Sequence, residues 1–335
     1  MEFAIIIILL ALLFDFYNGM NDAANSIATV VSTGVLTPSH AVMWAAFFNF
    51  AAAFVFGTSV AKTIGSGLVD AAIIDYLVIF SSLIGAIIVT ATCTHFGLPI
   101  SVSHAIIGGL GGSVLVKVGF GGIIFSGFTK VLIFIFLAPI MGFVIAYFFS
   151  IATLWLVKDK PPRVVDKYFR KLQLISAALY SLSHGSNDAQ KTMGIITMVL
   201  ALLAVNGNST FVGKSFHVPF WVVITSHSVI ALGTLVGGWK VIKTLGMRMT
   251  KLNPFGGFSA ETSAGITIII ATILGIPVST THTITGSITG VGSLRGFSAV
   301  RWGVARNILW AWVLTIPLSG IISALIYWIA VTFVV

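Results

Sequence analysis

Residues 97–104 read Gly-Leu-Pro-Ile-Ser-Val-Ser-His, and residues 275–282 read Gly-Ile-Pro-Val-Ser-Thr-Thr-His. In each octapeptide the proline stops one helix and the serine after it is placed to cap the next. Two further blocks recur outward from this pair. Asn21-Asp22-Ala23 returns as Asn187-Asp188-Ala189, 166 positions on, and Lys62-Thr63-Ile64-Gly65 returns as Lys243-Thr244-Leu245-Gly246, 181 positions on, against 178 for the octapeptides. Three blocks in one order at nearly constant offsets mark a duplicated unit.

The solvent of that unit follows from composition. Of 335 residues, 57% are hydrophobic and 8% charged, with mean hydropathy +1.07. A soluble domain carries about 25% charged residues. Apolar runs such as 3–16 and 131–157 recur from end to end, so the chain reads as an all-α polytopic membrane protein. The first run lacks a basic leader and continues into polar residues, which reads as a retained helix rather than a cleaved signal. The single cysteine, Cys93, excludes an intramolecular disulfide and a cysteine metal cluster.

Net charge is +9, and six of the 18 Lys and Arg residues lie within 158–173, the one strongly polar interval. Loop placement accounts for this charge without a nucleic-acid partner. The sequence therefore divides into a first repeat (1–157), a basic cytoplasmic linker (158–173) and a second repeat (174–335). With the linker inside, 174–205 leads outward and 220–239 returns to a loop holding Lys240, Lys243, Arg248 and Lys251. The spans 263–274 and 280–292 lead back to Arg295, Arg301 and Arg306, and 307–333 exits. The first half then makes five passes, an odd number. The halves face opposite ways, with both termini outside a cell (inner) membrane. Inverted repeats of this kind are a transporter design.

Residues 101–116 would form a helix of about 24 Å, and 280–292 a shorter one, against a hydrocarbon core of roughly 30 Å. Each pair around a Gly-x-Pro break reads as a helical hairpin whose tip stops inside the membrane. Irregular backbone is tolerated there when it is buried or lines a wet cavity, and inversion brings the two tips together near the midplane.

The polar residues assign roles. Asp22 lies in an apolar run, where a bare carboxylate costs a few kcal/mol. Asn21 and Asn25 flank it with neutral oxygen donors, and Gly19 is expected to open the helix and free backbone carbonyls. Asn187 and Asp188 repeat the arrangement. Two such breaks read as cation sites, with Glu261 either a further cation ligand at the cytoplasmic edge or an interfacial residue. At the tips, Ser101, Val102 and Ser103 face Ser279, Thr280 and Thr281; two positive helix ends with hydroxyls suit one tetrahedral oxyanion, with Asn25 and Gln190 as further donors. Lys191 either touches that anion or pairs with Asp188 three residues before it. His104 and His282, beyond the tips, are structural or carry a proton. The glycines from Gly108 to Gly112 are expected to permit close helix packing; no Gly-Lys-Ser/Thr follows, so they are not a Walker phosphate loop.

The paired Asn-Asp-Ala blocks, the Pro-x-Ser-x-x-His tips and the basic central loop resemble the inorganic phosphate transporter (PiT) family over essentially the whole chain. The resemblance implies an inverted-repeat carrier that moves inorganic phosphate with cations by alternating access. The cation is sodium in many members; in others protons or metal–phosphate complexes are moved, and some relatives carry sulfate. Two departures stand out: the second block continues Gln190-Lys191-Thr192 instead of Ala-Asn-Ser, and Asn49 stands where some members have an acid.

The expectation is sodium-coupled phosphate import, with no cofactor beyond the co-transported ion. Proton-coupled phosphate or sulfate uptake is the alternative. An intramembrane hydrolase would need one asymmetric constellation, whereas these polar groups come in duplicate. A channel would leave polar stripes on several helices. A homodimer suits a carrier that rocks one half against a fixed scaffold.

Overall fold

The computed structural model describes residues 1–206 and 216–333, in which the regular structure is helical. The first half contains α1 (Glu2–Ser32), α2 (Pro38–Ala51), α3 (Ser59–Ser66), α4 (Tyr76–Phe96), α5 (Val102–Val118) and α6 (Phe125–Val157). The second contains α7 (Pro162–Asn206), α8 (Phe220–Val236), α9 (Trp239–Arg248), α10 (Pro254–Ile273), α11 (Thr280–Ser293) and α12 (Trp302–Phe333). The halves match element for element, down to a proline within α6 (Pro139) and within α12 (Pro317).

Six helices are long and apolar enough to cross a membrane: α1, α4, α5 with its following 3-10 turn, α6, α10 and α12. The segment containing α2 and α3 passes the same test as one span bent by 81°. Two boundaries differ from the sequence reading. The basic interval is irregular only as far as Pro161; from Pro162 it forms the first turns of the 45-residue α7, because Pro161-Pro162 starts a helix readily. With its 3-10 turn, α5 reaches 21 residues, so shortness marks only α11, at 14 residues.

Each half completes the other. Between the halves, α5 packs extensively on α12 and α11 on α6, while α1 packs on α8 and α9, and α7 on α2 and α3. Small residues permit this. A Cβ at Gly108 or Gly112 would overlap the carbonyl of Ile316 or Gly320 on α12, and one at Gly286 or Gly290 that of Pro139 or Phe143 on α6. The close-packing role expected for Gly108–Gly112 holds.

Gly19 behaves the same way, and here the sequence expectation is corrected. Helix α1 runs unbroken through residues 17–26, and α7 through 183–191, so neither Asp segment frees backbone carbonyls. A Cβ at Gly19 would overlap the Ile230 carbonyl of α8, and one at Gly185 would come within 2.6 Å of the Asn49 carbonyl of α2. These glycines bring helices together while the main-chain ladder stays intact.

Candidate functional site

The tips meet as expected. Ser101 accepts a hydrogen bond from the His104 N–H and Ser279 from the His282 N–H, each at 3.3 Å, so both serines are N-caps. The tips then brace each other: Ser103 Oγ donates to the Val278 carbonyl and Thr281 Oγ1 to the Ile100 carbonyl, both at 2.9 Å. The N–H groups of Val102, Ser103, Thr280 and Thr281 thus lie at two adjoining positive helix ends. Behind them the His104 and His282 rings pack edge to face, with centroids 4.7 Å apart, and His282 stacks on Trp312.

Helix α1 presents Asp22 and Asn25 to the α11 tip. Thr280 donates to Asp22 Oδ2 at 3.3 Å, the Thr281 hydroxyl shares its one proton between the Ile100 carbonyl and Asp22 Oδ1 at 3.3 Å, and Asn25 Nδ2 donates to Thr281 Oγ1 at 2.9 Å. Helix α7 brings Asp188, His184 and Lys191 to the same place. His184 Nε2 lies 3.8 Å from Asp22 Oδ2 and 3.7 Å from Asp188 Oδ2. All of these residues are buried.

Hydrogen-bond direction shows what this centre lacks. Thr234 donates to the Ile230 carbonyl and therefore accepts from Asn49 Nδ2 at 2.9 Å. That turns Asn49 Oδ1 toward His184 Nδ1 at 3.0 Å, so Nδ1 carries the ring proton. In neutral His184 the Nε2 then faces the two carboxylates as a lone pair. With His184 neutral, three acceptors converge with ligand atoms within 4.8 Å of one another and no donor among them. A cation supplies what is missing. The unpartnered Oδ1 atoms of Asn21 and Asn25 are further neutral donors.

Lys191 takes the pairing alternative: its Nζ is 2.7 Å from Asp188 Oδ1, outside hydrogen-bond alignment, which leaves its donors unspent. Other sequence-selected residues hold the frame. Asn187 donates to Thr272 and to the Ile276 carbonyl and accepts from the Val278 N–H, tying α7 to the second tip. Its counterpart Asn21 donates to Thr94. Gln190 accepts from the Val60 and Ala61 N–H groups at the start of α3 and donates to the Ser186 carbonyl, so both ends of its amide are engaged within the frame. Glu261 sits apart and fully buried, away from any solvent interface, accepting from Thr29, Ser176 and Gln173.

Asp15 was not singled out from sequence, and Asn49 was noted there only as a departure from the family pattern, not as a partner of His184. Asn49 orients His184 across 135 residues of chain, which no local pattern reveals. Asp15 is fully buried on α1 with both oxygens unpartnered. A carboxylate within an apolar helix is a signal in its own right.

Comparison with known proteins gives the geometry its context. The family model described as the phosphate transporter family matches the chain twice, over residues 18–164 and 157–323. The chain belongs to the phosphate transporter family. It is a multi-pass membrane transporter and not an enzyme. A probable low-affinity inorganic phosphate transporter of Rhizobium meliloti is 54% identical over 97% of this chain and 95% of its own. One of the same description from Bacillus subtilis is 41% identical over 97% and 96%. A solved structure, described as that of the sodium-dependent phosphate transporter, superposes with a TM-score of 0.87 at 28% identity, over the full length of both chains.

Proposed function

We propose that this family member imports inorganic phosphate together with sodium by alternating access. The observation that carries the reading is the buried convergence of Asp22, His184 and Asp188 beside two adjoining helix N-termini. Phosphate bound at the tips would face the carboxylates, and uncompensated buried charges of one sign are costly. Sodium between them removes the conflict, which makes phosphate affinity depend on sodium and sodium affinity on phosphate. The carboxylates of Asp22 and Asp188 and the amide oxygens of Asn21 and Asn25 suit a hard cation. The sodium dependence of the solved neighbour supports the choice of ion.

The reciprocal bracing of the tips supports two inverted units, and the six basic residues of 158–173 support placing that linker inside and the termini outside. A proton shared by His184 and the carboxylates would satisfy the same acceptors, so the test separates the two ions. Labelled phosphate is followed in proteoliposomes under a sodium gradient at equal pH, then under a pH gradient without sodium. Accumulation in the first condition is expected. Accumulation only in the second overturns sodium coupling in favour of protons.

A further inference from the structure

Asp15, Asp22 and Thr29 are spaced seven residues apart and so share one face of α1, each step advancing about 10 Å. Asp22 belongs to the central site and Thr29 donates to Glu261. Asp15 lies on the N-terminal side and has no role in either.

Its surroundings are those of a site without its ligand. Neither Asp15 oxygen has a hydrogen-bond partner among the described residues. The Asn18 amide, one turn along α1, and the Thr192 hydroxyl of α7 face the carboxylate. Both side chains are buried, and they too are unpartnered. A satisfied structural carboxylate would have closed those hydrogen bonds, as Glu261 does with its three donors.

Charge points the same way. The charged groups acting on Asp15 are Asp188 and Lys191, and Lys191 is already held against Asp188 at 2.7 Å. Ionised together, Asp15, Asp22 and Asp188 would carry two negative charges beyond the one ammonium in buried surroundings, a state that a bound cation would stabilise. Charge of that kind is met by a counter-ion. Asp15 Oδ1 and Oδ2, Asn18 Oδ1 and Thr192 Oγ1 are all hard oxygen ligands, the set an alkali cation takes.

We infer that Asp15, Asn18 and Thr192 form a further sodium site, one step along α1 from the central carboxylates on its N-terminal side. The inference rests on the sodium reading above. The repeat does not duplicate this site, since the position 166 residues after Asp15 is Ser181. The site is therefore one-sided. With the N-terminus outside, sodium arriving from outside meets Asp15 before Asp22, and Thr192 shares a helical turn with Lys191 and Asp188, through which occupancy reaches the centre.

The test is equilibrium binding of radioactive sodium to the purified full-length protein at fixed pH, without phosphate and with choline as the replacement cation. Asp15→Asn keeps the shape and removes the charge; it should saturate one sodium ion below wild type. Thr192→Val removes one ligand and should raise the half-saturating concentration of one component roughly tenfold or more. Asp22→Asn reports on the central site and should lose a different component. Wild-type stoichiometry and half-saturation in Asp15→Asn overturn the proposal and leave the central sodium reading standing; no sodium binding by wild type overturns both. If Asp15→Asn aggregates on size exclusion, Thr192→Val decides, and an unchanged binding curve rejects the site.

Discussion

Ser103 and Thr281 make the same bond in opposite directions. Each donates to the carbonyl one residue before the other tip's N-cap, Val278 for Ser103 and Ile100 for Thr281, at 2.9 Å in both cases. The bonds are equivalent but the residues are not, because the Thr281 hydroxyl shares its one proton with Asp22 Oδ1 and accepts from Asn25. Ser103→Ala and Thr281→Val should each lose about 1 kcal/mol of stability. Only Thr281→Val should also raise the sodium concentration needed for half-maximal phosphate uptake. Thermal unfolding in detergent and sodium titration of uptake measure the two effects; equal sodium titrations would detach Thr281 from the ion site.

Asp188 and Lys191 give a sharper separation. Removing one partner of a buried ion pair costs about 3–5 kcal/mol, because the survivor stays charged without compensation. Asp188→Asn alone should therefore destabilise the protein strongly, and the double substitution Asp188→Asn with Lys191→Met should recover most of the loss. Asp22→Asn leaves no such orphan, since Asp22 has no lysine against it. That variant should fold normally and abolish coupled uptake. Expression, unfolding temperature and uptake of wild type and the three variants, measured side by side, check the pattern.

The duplication, the hairpin tips and the Asp22 neighbourhood were legible in the sequence because each is written twice, and a repeated motif carries its own control. What was not legible has no echo. Asn49 meets His184, and Glu261 gathers Thr29, Gln173 and Ser176, only through packing of distant segments. Gly19 was visible but ambiguous: a glycine in a helix serves either to open the ladder or to admit a neighbour, and only the Ile230 carbonyl beside it decides. Gln190 follows the same rule, since an amide next to Lys191 looks like an anion donor until the start of α3 is found against it.

The close approach of α5 to α12 predicts a steric result. A methyl group at Gly112 would meet the Gly320 carbonyl, a backbone atom that moves only with its helix. Gly112→Ala should cost about 1–3 kcal/mol by overpacking. The substitution at Gly121, which has open space around it, should be nearly neutral by comparison. Unfolding temperatures of the pair measure the difference.

Opposite orientation of the halves is testable with single cysteines in a Cys93→Ala background. Val165, on the first turns of α7, is half-buried and should react only from the cytoplasmic side. Ser209 and Val335, which lie outside the described residues, should react from the outside. Labelling of Val165 and Val335 from one side would remove the inverted arrangement.

Glu261 separates charge from hydrogen bonding. Its Oε1 accepts from Thr29 and Gln173 and its Oε2 from Ser176. In Glu261→Gln the amide oxygen keeps the first two bonds. The new NH2 faces Ser176, whose hydroxyl can turn its lone pairs toward it while giving up its own donation. The structural cost is one rearranged bond, about 1 kcal/mol. Glu261→Ala instead strands three buried donors, each costing roughly 1–3 kcal/mol, and should unfold well below wild type. If Glu261 serves as a cation ligand, the charge lost in Glu261→Gln matters even though the fold survives. Uptake should then need several-fold more sodium while keeping the wild-type response to phosphate at saturating sodium. A Glu261→Gln protein with an unshifted sodium titration would make Glu261 a structural acceptor for α1 and α7 and nothing more.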